Sequence, residues 1–188
     1  MIQEFKIFNR SGIVIPVDIE YPMDVYKNTN NPENSIFFDG SSKGVSWLYN
    51  GNRIIIKDDN VDIFAYPSID QNYIIAIYQG LNGEYKPPCN AVVFNLDGSI
   101  HKILEIPPFV SERLLKQVEI EQDTNPPIKW LNNIHTPMFK SFGWDKDKNG
   151  NLFNYISYQY LQDFGEGREL NPITGEIGSL VDDWHTYY

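Results

Sequence analysis

The chain has a single cysteine, Cys89, in 188 residues. That excludes an intrachain disulfide and any metal centre built from several thiolates, so nothing points to a secreted, disulfide-built scaffold. Cys89 follows Pro87-Pro88 with no base beside it, and a lone cysteine in that setting is expected to pack as a small apolar side chain. Long hydrophobic runs are missing too: the start, MIQEFKIFNR, lacks the basic residues and apolar stretch of a signal peptide, and no segment approaches membrane-spanning length. The expectation is a cytoplasmic protein that uses no membrane. Positive charge is scarce, with 15 Lys and Arg against 25 Asp and Glu, a net charge of −10. Phosphate backbones would be repelled, so no nucleic-acid partner is expected, and a basic protein is the favoured kind of partner.

Catalytic patterns are also lacking. His101, His135 and His185 are scattered, without the i, i+4 spacing of paired metal ligands, and no glycine loop of the phosphate-cradling type occurs. His185 has the most suggestive neighbours, in DDWHTYY. No catalytic residue is assigned. The chain is expected to be a binding protein rather than an enzyme.

What is present is β structure. Tyr73 to Tyr78 is apolar at nearly every position, which marks a strand covered on both faces and central to its sheet. Asp97-Gly98 joins Ala91–Leu96 to Ile100–Ile106 as a hairpin, because Gly tolerates positive φ. Asn50-Gly51 joins Val45–Tyr49 to Asn52–Lys57 and predicts a type I′ turn. Asn9 to Gly12 precedes the alternating run Ile13, Ile15, Val17, Ile19 and Tyr21, a further hairpin with one buried face. YPMDVYKNTNNPENS reads as a surface loop, Ile36 to Phe38 as a short strand, and DGSSKG as a turn. Val61 to Tyr66 is another strand, ended by Pro67. Leu152 to Leu161 and Ile177 to Val181 complete the set, with turns predicted around Gly165 to Gly167 and at Asn171 to Gly175. The aromatic tail, DDWHTYY, is expected to dock.

Four pieces share a look: FKIFNRSGIVI, WLYNGNRIII, VVFNLDGSIHKI and WDKDKNGNLFNYI. They fit either blade-like repeats or hairpins built by one turn chemistry. Ser111 to Gln122 alone has helical spacing, in Leu114, Leu115 and Val118, with Ser111 as N-cap and Glu112 in the first turn. The chain is therefore expected to be one mainly β domain over residues 1–188. Antiparallel hairpins would form a sandwich, an open barrel or a small propeller-like array, with the amphipathic helix at 111–122 as insertion or cover.

Two constellations point toward function. From Asp163 to Asp183 the chain carries Asp163, Glu166, Glu169, Glu176, Asp182 and Asp183 against one base, Arg168. This negative segment would steer a basic partner, with Tyr160, Trp184 and Tyr187 as aromatic anchors. Asp163, Glu166, Glu169, Asp182 and Asp183 are its candidate contacts. An acidic chain of this kind suits an inhibitor or immunity protein of a basic bacterial toxin. The second constellation is Asp145-Lys146-Asp147-Lys148-Asn149-Gly150, where Asp145, Asp147 and Asn149 match the start of a calcium loop. Positions nine and twelve are Phe153 and Ile156, so the completing carboxylate is missing, and a polar hairpin turn explains the same residues. With Trp47, Trp130, Trp144 and Trp184 as possible stacking platforms, the alternative is a carbohydrate-binding or hydrolytic β-protein with an optional calcium ion. A structural accessory subunit is the third reading.

Overall fold

The structure, a computed structural model, describes residues 1–19, 42–116, 137–160 and 164–185. Twelve strands lie in these segments: β1 (Gln3–Asn9), β2 (Val14–Pro16), β3 (Ser42–Tyr49), β4 (Asn52–Lys57), β5 (Asp62–Pro67), β6 (Tyr73–Gln79), β7 (Ala91–Asn95), β8 (Ile100–Ile103), β9 (Met138–Lys146), β10 (Leu152–Tyr160), β11 (Phe164–Asn171) and β12 (Glu176–His185). They form three antiparallel four-stranded sheets, ordered β2-β1-β3-β4, β5-β6-β7-β8 and β12-β11-β10-β9. None closes into a barrel. The mainly β expectation holds.

The sheet of β5 to β8 stands between the others, with β5 beside β3 on one side and β5 and β6 beside β9 on the other. β6 is one of its two inner strands, and Ile74, Ile75, Ala76 and Ile77 are wholly buried. Each of those isoleucines contributes about 1.5–3 kcal/mol by leaving water. Aromatic rings then link the sheets in series. Trp47 stacks on Phe5 at 6.4 Å, Phe5 meets Tyr66 edge-on at 5.8 Å, and Tyr66 meets Trp144 edge-on at 5.4 Å. The two indoles also donate across sheet boundaries, Trp47 Nε1 to Leu96 O at 2.8 Å and Trp144 Nε1 to Pro67 O at 2.9 Å. Buried Asn90 does the same job, donating to Tyr78 O and Phe139 O and accepting from Phe139 N.

The four similar sequence pieces are hairpins, but they do not mark one repeat per sheet. Two fall in the first sheet, as β1-β2 and β3-β4, one closes β7-β8 and one closes β9-β10. Turn chemistry accounts for their likeness. At Asn9, Asn95 and Asp147 the backbone carbonyl accepts from the N–H of Gly12, Gly98 and Gly150, whose φ values are 83°, 85° and 85°. Asn50 and Gly51 take φ of 50° and 79°, the type I′ turn that Asn-Gly predicts.

Several boundaries differ from expectation. β3 begins at Ser42, inside the segment read as a turn, and β2 and β8 are shorter than their sequence runs. Gly165 to Gly167 is no turn: it lies inside β11, paired to both neighbours. β12 runs on through Asp182, Asp183, Trp184 and His185 rather than stopping at Val181. A helix starts at residue 112, where Ser111 Oγ caps the N–H of Leu114, and is described through residue 116. The rest of the expected helix, the loop after Tyr21, the strand at Ile36 to Phe38, Trp130 and His135 lie outside the described residues. Among those described, no helix is long and apolar enough to cross a membrane.

Candidate protein-binding face

The sequence of β11, FGEGRELN, alternates with period two. Phe164, Glu166, Arg168 and Leu170 point to one face and are buried; Gly165, Gly167 and Glu169 point to the other. The strand splits the acidic set in two.

On the inner face Glu166 is wholly buried. Its Oε1 accepts from the N–H of Val110 and Ser111 at 2.8 and 2.7 Å, and its Oε2 from Tyr158 Oη at 2.9 Å and Arg168 Nη1 at 3.1 Å. Arg168 Nε donates to Gly178 O at 2.6 Å. Glu166 is thus spent inside the protein, holding the chain before the helix to the third sheet, and offers a partner no surface. A buried charge must be paired and hydrogen-bonded in this way to be tolerated. Asp183 performs a related task from β12, accepting from Ser111 Oγ and from Arg113, whose Nε lies 2.8 Å away. The Arg113 contact holds its carboxyl below the usual aspartate range, with Ser111 adding to the effect and burial opposing it.

On the outer face the remaining candidates converge. Cross-strand pairing sets Glu169 beside Tyr155, Tyr155 beside Gly143, Phe153 beside Asp145, Asp182 beside Gly167 and Trp184 beside Gly165. The two glycines are seats for rings. A β-carbon built on Gly165 would overlap the Trp184 indole, and one on Gly167 would overlap Tyr155 and the Asp182 carboxylate. Both rings therefore lie low on the sheet, half-exposed. Tyr155 Oη donates to Asp182 Oδ1 at 3.0 Å. Burial and the charge of Asp182, with a further push from Asp145, raise the Tyr155 hydroxyl well above its ordinary value, so it stays a donor.

Asp145, Glu169 and Asp182 are exposed. Among the described residues none of the three forms an ion pair. Next to Glu169 lies an open groove of about 520 Å³, lined also by Asp70, Leu152, Ile173 and Glu176. The arrangement is a flat aromatic floor rimmed by uncompensated carboxylates.

Of the sequence candidates, Glu169, Asp182 and Trp184 share this face, Glu166 and Asp183 turn inward, and Asp163, Tyr187 and the Tyr160 side chain lie outside the described residues. Sequence reasoning missed Tyr155, Gly165 and Gly167. Their signal was the alternation in GEGRE, hidden because Gly-x-Gly reads as a turn.

The calcium candidates belong to the β9-β10 hairpin. Asp147 Oδ1 accepts from the N–H of Asn149 and Asn151, and Oδ2 from Asn151 Nδ2, each at 2.8 Å. These bonds, led by Asn151, lower the Asp147 carboxyl. Asp145 accepts from Lys146 N. With donors on both Asp147 oxygens, these bonds close the hairpin turn. Among the described residues no group of three His, Cys, Asp or Glu converges on a common point. Trp47 and Trp144 are committed to the interior as described, and His101 bridges sheets by bonding Ile173 O at 2.7 Å. His185 stacks on Phe164 at 4.3 Å.

No protein-family model matches the chain, and no curated protein sequence does. A chain of the solved complex of Tne2 with Tni2 is similar in fold, with TM-score 0.57 and 12% identity over 100% of both chains. The likeness extends from end to end.

Proposed function

We propose that this chain is a non-enzymatic binding protein whose outer face on the third sheet engages a basic protein partner, in the manner of an inhibitor or immunity protein that blocks a bacterial toxin. The observation that carries this reading is the juxtaposition of Asp145, Glu169 and Asp182, without ion pairs among the described residues, around the low-lying rings of Tyr155 and Trp184. Rings of this kind supply interface energy at little entropic cost, while carboxylates of one sign steer an oppositely charged partner and fix its orientation. A Lys or Arg side chain fits both roles of the face, its charge on Asp182 and its stem or guanidinium plane on the indole. Fold likeness to a chain of a two-protein complex supports a protein partner.

The test is coexpression with the product of the adjacent gene, followed by size-exclusion chromatography with light scattering. A stoichiometric complex is expected, and neutralising two charges with Glu169→Gln and Asp182→Asn should lower the association rate by about tenfold and flatten its salt dependence. A complex indifferent to both substitutions would remove this face from the interface. A chain that stays alone would count against the protein-binding reading.

A further inference from the structure

A flat floor of rings offers a partner no recess, and interface energy concentrates where a side chain fills a pocket. The groove beside Glu169 is such a recess. The β5-β6 turn, the start of β10, the end of β11 and the turn into β12 build it together. Each wall is fixed by bonds of its own. Asn154 Oδ1 accepts from Ile69 N at 3.0 Å and so joins the β5-β6 turn to β10. Asn171 Oδ1 accepts from Ile173 N at 3.0 Å and Asn171 O from Gly175 N at 2.8 Å, while His101 Nε2 lies 2.7 Å from Ile173 O. The groove is therefore formed in the free protein, and a partner need not supply the entropy of ordering it. Its volume, about 520 Å³, is within the roughly 300–1,000 Å³ of concave binding sites.

The lining specifies the occupant. Asp70, Glu169 and Glu176 contribute carboxylates, and among the described residues that line the groove there is no Lys, Arg or His. None of the three carboxylates forms an ion pair among the described residues. Burial pushes the Asp70 carboxyl up, but donors on Ser68 and Asn72 outweigh it and keep the group charged. The same lining holds apolar side chains: Ile173 is 60% exposed and Leu152 37%. Like charges are left in mutual repulsion and apolar surface is left wet, and an apolar side chain with a cation next to it relieves both. A second copy of this chain, with its net charge of −10, is a poor occupant for the same reason. Two of the lining residues also belong to the outer face of the third sheet, since Phe153 pairs with Asp145 and Glu169 with Tyr155. Groove and face therefore adjoin.

We propose that this groove receives an apolar side chain of the basic protein partner, packed on Ile173 and Leu152, with a neighbouring Lys or Arg of the partner set against Glu169 or Glu176. The inference rests on the protein-binding reading above and adds the pocket that anchors the complex. The test is to measure association and dissociation rates of the whole chain with the product of the adjacent gene. Ile173→Ser should speed dissociation about tenfold with little change in association, as loss of an anchoring contact does. Glu176→Gln should slow association about twofold and reduce its dependence on salt. Leu81→Ser removes a comparably exposed apolar side chain, 66% exposed on the loop after β6, and should change neither rate. Ile173 and Leu81 are both exposed, so these variants retain the fold, and equal melting temperatures check this. A complex slowed in association by Glu169→Gln and Asp182→Asn, but with the parent's dissociation rate in Ile173→Ser, would overturn this inference and leave the protein-binding reading standing. So would an equal loss in Leu81→Ser. A chain that forms no complex would overturn both.

Discussion

The indole of Trp184 occupies the space over Gly165 that the β-carbon of any other residue would fill. Gly165→Ala should therefore lift the ring from the sheet. We expect a loss of about 1–3 kcal/mol in urea unfolding, the usual cost of overpacking, together with a shift in Trp184 fluorescence. An unchanged emission spectrum in the folded variant would show that the ring does not rest there.

Glu166 holds four donors with one carboxylate, and Arg168 depends on it for charge balance. Glu166→Gln should cost about 3–5 kcal/mol, because it leaves the guanidinium buried and uncompensated. Adding Arg168→Met should recover part of that loss. If the double variant is less stable than the single one, the charge pair is not the reason for the penalty.

Acid should weaken the fold through two aspartates. Asp183 is lowered chiefly by Arg113. For Asp58 burial acts to raise the value, but the N–H groups of Glu84, Asn60 and Val61 outweigh it, leaving the carboxyl below the ordinary 3.8. In both cases the folded state binds fewer protons than the unfolded chain as pH falls through that value, so their contribution is complete above it and is lost below it. Denaturant titrations from about pH 6 down to about pH 2 should show stability falling, and Asp58→Asn should flatten the slope while lowering stability near neutrality by about 1–3 kcal/mol. A variant with the slope of the parent would exclude Asp58.

The β9-β10 turn should behave as a turn. Gly150 has φ of 85° with nothing near the place of a β-carbon, so Gly150→Ala should cost about 1–2 kcal/mol from backbone conformation alone. Millimolar calcium should leave the melting temperature unchanged, since a bound ion would raise it by linkage. A calcium-dependent rise that Asp147→Asn abolishes would restore the metal reading.

Local chemistry made much of the fold legible. Asn50-Gly51 specified its turn type, Asp97-Gly98 its hairpin, and the unbroken apolar run at Ile74 to Tyr78 its place inside a sheet, because each depends on neighbours in sequence. The candidate site was legible only in part. Glu166 and Glu169 look alike as letters, and their fates diverge because strand alternation turns one inward to Val110 and Ser111 and the other outward. The glycines of β11 misled for a related reason: their purpose is room for rings contributed by β10 and β12, which no local pattern shows. Sheet boundaries depend on the chain of rings from Trp47 to Trp144, spread over about half the sequence.

The second sheet is complete within residues 62–103 and the third within 138–185. Each strand in them pairs with its immediate predecessor, so most hydrogen bonds close short loops and incur small entropic penalties on closure. Pairing of this kind favours quick formation of these two sheets. The first sheet is the exception, since β1 must find β3 across more than thirty intervening residues, those between Asn9 and Ser42. Its docking is the step on which the folding rate should depend, and the outer face it carries would be the last surface to take shape.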